Sequence, residues 1–74
     1  MKLTLKEAIR DNLCREYMRY DCLSVKEFAE ITGTNPMQMS KYMSGFAVPT
    51  LAVALRLSRA LDITVEQLTE GAEL

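Results

Sequence analysis

The chemistry open to this chain is narrow. Its 74 residues include no histidine and only two cysteines, Cys14 and Cys22. Without histidine the usual acid–base and nucleophilic constellations cannot be assembled, and two thiolates alone do not complete a four-ligand zinc site. Carboxylates are present, but Glu7, Asp11, Glu27, Glu30 and the rest fall at helix-surface spacings beside lysines and arginines, the pattern of a solvated face. Neither enzyme activity, a metal nor a cofactor is expected. What remains is recognition by hydrogen bonds and apolar contact, and it concentrates in residues 35–45, NPMQMSKYMSG. That stretch carries a single charge, Lys41, with Asn35, Gln38, Ser40 and Ser44 as its other polar groups and Met37, Met39 and Met43 between them.

Such groups recognise nothing unless rigid elements hold them, and a chain of this length forms one domain with little room for a deep cavity. With 49% apolar and 26% charged residues and no low-complexity run, a folded domain spanning residues 1–74 is expected rather than disorder. No uncharged run suits a membrane span, and the one that starts at Ile31 is broken by Gly33, Asn35 and Pro36. The charged N-terminus (Lys2, Lys6, Glu7, Arg10, Asp11) is unlike a signal peptide, so reduced thiols and a cytoplasmic location are expected.

Local signals divide the chain into five helices. Thr4-Leu-Lys-Glu7 is a capping box, in which a hydroxyl takes one orphan amide and a carboxylate reaches back to another. Leu5, Ile9, Leu13 and Tyr17 follow at helical spacing and predict a helix over 5–19. Ser24-Val-Lys-Glu27 repeats the box and opens a helix over 25–31 with Val25, Phe28, Ala29 and Ile31 as its apolar residues; Gly33 suits the left-handed position that ends it. Asn35 caps the next helix, 36–44, where Pro36 in the first turn loses no amide partner. Thr50, after Pro49, opens a helix over 51–61 containing Leu51, Ala54, Leu55, Leu57 and Leu61, and Thr64-Val-Glu-Gln67 opens a last one over 65–70. The fold class implied is compact all-α.

Residues 24–44 have the spacing of a helix-turn-helix, with Ala29 small enough for the crossing, Gly33 at the turn, and Met39 and Tyr42 available to pin the second helix to the core. With these in place, the chain from Leu23 to Leu68 resembles the Cro/repressor (XRE) helix-turn-helix family of lambda-repressor-like domains. The resemblance includes the Leu-Ser opening, Glu27-x-Ala29, Gly33, Ser40-Lys41, Gly45, Pro49-Thr50-Leu51 and Ala60-Leu61. It implies that the helix over 36–44 lies in the major groove of DNA, that the loop after it touches phosphate, and that the last two helices help form a dimer. The DNA-contacting set it suggests is Lys26, Asn35, Pro36, Met37, Gln38, Ser40, Lys41 and Ser44, with helix-terminal amides as phosphate ligands.

The chain departs from the family at several of these positions. Val25 stands where relatives often carry glutamine, Pro36 offers no donor, and Met37 offers only apolar contact such as with a thymine methyl. Phe46, Ala47 and Val48 replace a polar loop, and 9 basic against 10 acidic residues leave a net charge of −1 where DNA affinity favours a basic domain. Two readings follow. One is a transcriptional regulator, a repressor binding operator DNA as a homodimer, of phage, plasmid or other mobile-element origin. The other keeps the fold but turns Met37, Met43, Phe46 and Val48 toward another regulator, as an antirepressor or corepressor partner.

Overall fold

In the computed structural model, which describes residues 3–73, each helix begins where a side chain takes over an otherwise unpaired amide. For α1 (Leu5–Arg19), Thr4 Oγ1 accepts from the Glu7 amide at 3.2 Å and Glu7 Oε1 accepts from the Thr4 amide at 2.9 Å. Ser24 opens α2 (Val25–Thr32), but here the Glu27 carboxylate reaches one residue further than a capping box, to the Leu23 amide. Asn35, Thr50 and Thr64 open α3 (Pro36–Met43), α4 (Leu51–Leu61) and α5 (Val65–Leu68).

Four of the helices also close alike. After α1, α2, α3 and α4 one residue turns left-handed, namely Asp21, Gly33, Gly45 and Asp62, with φ between 54° and 78°. In each case the next amide bonds back across the last turn: Cys22 to Tyr17 O, Thr34 to Ala29 O, Phe46 to Lys41 O and Ile63 to Ser58 O. This pairing satisfies carbonyls that a helix end leaves open. Glycine adopts that conformation without steric cost, so the two aspartates are held against their preference.

Between these ends the helices fold around one core. α1 lies against α3 and α5, α2 against α3 and α4, and α5 against α4. Phe28 and Ala29 from α2 meet Met39 and Tyr42 from α3, with Ile9, Leu13, Leu57, Leu61 and Leu68 closing the interior. Ala29 has no exposed surface, as the α2–α3 crossing requires. Tyr17 and Phe28 touch edge to face, ring centres 5.7 Å apart.

The buried polar groups bind the helices to one another. Asn12, 5% exposed, sends its amide nitrogen from α1 to Leu68 O at 2.8 Å and Glu70 O at 3.0 Å, tying down the end of α5. Arg19 and the Tyr20 hydroxyl both donate to Leu61 O at 2.9 Å, which closes α4. Among the described residues no strand forms, but Leu3 and Ala72 make a single parallel bridge, reinforced by the Glu73 amide donating to Leu3 O.

Three further expectations need correction, concerning Glu16, three apolar side chains and the end of the last helix. Glu16 is buried rather than on a solvated face, because Arg19 Nε holds its carboxylate at 2.7 Å. Ile31, Leu51 and Leu55 are exposed, since the packed sides of α2 and α4 are filled by Phe28, Ala29, Ala54, Leu57 and Leu61. The last helix stops at Leu68, where Asn12 claims the carbonyl and the Thr69 hydroxyl folds back onto Val65 O. Both thiols are free, Cys22 buried and Cys14 half-buried. No helix among the described residues is long and apolar enough to cross a membrane.

Candidate nucleic-acid interface

The exposed side of α3 is set by what its other side buries. Met39 and Tyr42 anchor the helix in the core, so Met37, Ser40, Lys41 and Ser44, at i, i+3, i+4 and i+7, form its outward stripe. The start of α2 and the residue after Gly45 flank that stripe. Together they enclose an open groove of about 570 Å³ lined by Val25, Lys26, Pro36, Met37, Ser40, Lys41, Ser44 and Phe46.

The groove gathers Lys26, Pro36, Met37, Ser40, Lys41 and Ser44 from the set that the sequence suggested for DNA contact. Asn35 and Gln38 are exposed but lie outside its lining. Asn35 is also committed elsewhere: its Oδ1 accepts from the Met37 and Gln38 amides at 2.8 and 3.3 Å. Those amides, candidates for holding phosphate, are therefore already satisfied, and the Asn35 oxygen is occupied by them. At the start of α2 the Glu27 carboxylate takes the place an anion would occupy.

Ser44 is restricted as well. Its hydroxyl donates to Ser40 O at 2.7 Å, so it meets a ligand as an acceptor. Lys26 and Lys41 are exposed and form no ion pair among the described residues, which leaves both ammonium groups available. Around them the surface is apolar: Met37 is 71% and Phe46 78% exposed, and Val25 and Pro36 complete the wall.

The proposed apolar partner surface divides on inspection. Met37 and Phe46 share the groove, whereas Val48 is exposed outside it. Met43 is half-buried and packs on the core, because α1 lies against α3 and brings the Cys14 thiol to within 3.9 Å of the Met43 carbonyl. Met43 is not part of an exposed patch. Burial pushes both cysteine thiols above their ordinary range, which keeps them protonated and poorly nucleophilic.

Sequence reasoning missed Arg10. A side chain at Gly45 would meet Arg10 Cδ at 3.5 Å, so this residue of α1 lies beside the end of α3, its guanidinium paired with Asp11 at 2.9 Å. Nothing in the spacing of α1 signals that approach. Arg56 and Arg59 are exposed on α4, and the acidic residues that follow them, Asp62, Glu66, Glu70 and Glu73, are exposed on and around α5, which packs on α1 and α4.

Compared with known families, residues 23–68 match a family model described as helix-turn-helix, more than half of the chain. No curated protein and no solved structure matched.

Proposed function

The chain belongs to the helix-turn-helix family, a family of DNA-binding regulators rather than enzymes, and from that premise we propose that it is a cytoplasmic transcriptional repressor of operator DNA. The observation that carries the reading is the groove, in which the outward stripe of α3 and the start of α2 bring onto one surface two lysines that form no ion pair among the described residues. A helix presented in this way fits the major groove of B-DNA, with Lys41 reaching guanine O6 and N7 and Lys26 reaching a phosphate. The repressor binds as a homodimer, placing two copies of α3 about 34 Å apart on half-sites one helical turn apart. It occludes a promoter of the phage, plasmid or other mobile element that encodes it.

Fluorescence anisotropy with duplexes flanking its own gene, at two salt concentrations and against random duplex, tests the reading. Site-specific binding that weakens with salt supports it. Absence of site-specific binding by a folded sample overturns it in favour of a second reading, an antirepressor or corepressor partner. The apolar lining and the net charge of −1 favour that alternative. Phe46→Glu is its clean test, since Phe46 is 78% exposed and the change spares the core.

A further inference from the structure

The groove is poor in the groups that usually distinguish bases. Arginine and lysine read guanine, and asparagine and glutamine read adenine, through two hydrogen bonds at once; of these four types only Lys26 and Lys41 line it. The asparagine and glutamine nearest to it on the chain, Asn35 and Gln38, lie outside, and Asn35 has its acceptor locked in the α3 cap. The Ser44 hydroxyl already donates its hydrogen bond to Ser40 O. The direct donors left are the two lysines and the Ser40 hydroxyl, set around Val25, Pro36, Met37 and Phe46.

In the major groove only one base feature is apolar, the methyl group at C5 of a pyrimidine. The flanking lysines select a polyanion as the occupant, and an apolar peptide without acidic residues would leave both charges unmatched. The length also fits, for the eight residues of α3 rise about 12 Å, roughly three to four stacked base pairs. We infer that this groove reads pyrimidine C5-methyl groups, of thymine or 5-methylcytosine, with Met37 and Phe46 as the specificity-determining side chains and Lys26 and Lys41 holding the backbone and a neighbouring base. The inference rests on the DNA-binding reading above. Methionine suits this task because its unbranched, polarisable chain adjusts to a methyl group at small cost.

The test starts from duplexes recovered by the full chain out of a random-sequence pool, with each thymine of the bound site then replaced singly by deoxyuridine, which lacks only the methyl group. Affinity is read by competition anisotropy for wild type, Met37→Ala and Phe46→Ala. At one or more positions uracil weakens wild-type binding about fourfold, the value of one buried methyl, and the same replacement has no effect on one of the two variants. Placing 5-methylcytosine at that position binds more tightly than cytosine by a similar factor, showing that the methyl group, whichever base bears it, is what is read. Methyl sensitivity confined to thymine narrows the reading to that base. The proposal is overturned if uracil binds as well as thymine throughout the site, if the recovered site contains no thymine, or if the uracil effect persists unchanged in both variants. A pool that yields no specific duplex overturns the DNA-binding reading with it, so the two failures are distinguishable.

Discussion

Replacing Asn12 by leucine, which keeps the same branching of heavy atoms, removes the side chain whose hydrogen bonds tie α1 to the end of α5. Its nitrogen serves two carbonyls, Leu68 O in a buried setting and Glu70 O in a partly buried one. The first is left without a partner away from water, a loss of about 1–3 kcal/mol, whereas the second regains water, so that only the net value of a hydrogen bond, about 0.5–1 kcal/mol, is forfeited. The expected destabilisation is about 1.5–4 kcal/mol, equivalent to a Tm lowered by roughly 6–30 °C in a domain of this size. Asn12→Asp costs more at neutral pH, since a carboxylate would face the same two carbonyls and could donate to neither. Urea titration followed by circular dichroism, at a fixed protein concentration so that self-association does not enter, measures the change. A leucine variant within about 0.5 kcal/mol of wild type would place it among neutral surface changes and refute the reasoning.

The helix ends, the α1 cap and the outward lysine give further expectations. Gly33→Ala costs about 1–2 kcal/mol from its φ of 69° alone, because nothing lies within 4 Å of the added carbon, and Asp62→Gly at φ 56° stabilises by up to about 1 kcal/mol; denaturant midpoints of the two variants moving in the same direction would contradict this. The Thr4 amide and hydroxyl hold the Glu7 carboxyl below its ordinary range, so its stabilising contribution is present above the unfolded-state value and is lost as pH falls through the lower folded-state value. Wild type should therefore lose more stability on acidification than Glu7→Gln, and parallel pH profiles of the urea midpoint would exclude the link. Lys41→Ala should weaken specific DNA binding by about 1–3 kcal/mol; unchanged affinity for the recovered site would remove it as a base reader.

The starts of the helices were legible because capping is local chemistry. Thr4 with Glu7, Asn35 with Gln38 and Thr64 with Gln67 act across three residues, and the structure uses each of them. The same holds for Gly33 and Gly45, whereas Asp21 and Asp62 occupy the same left-handed position without the residue type that announces it. What could not be read depends on distant partners. Asn12 is buried by carbonyls 56 and 58 residues away, and Met43 is covered by a helix that ends more than twenty residues before it. Within the groove, residue types could suggest Lys26, Met37, Ser40, Lys41 and Ser44, because one helical stripe collects most of them. They could not show that Asn35 spends its acceptor on its own helix, nor that Arg10 approaches from α1.

The balance of apolar wall and sparse charge in the groove also sets which physical conditions the complex responds to. With two lysines lining it, each groove is expected to displace few counterions on DNA, about 0.9 per phosphate neutralised. Burying Met37 and Phe46 instead gives binding a negative heat capacity change, and contact of that kind weakens on cooling. On the DNA-binding reading proposed above, site-specific affinity is expected to fall with salt less steeply than for a more basic surface, and to weaken on cooling.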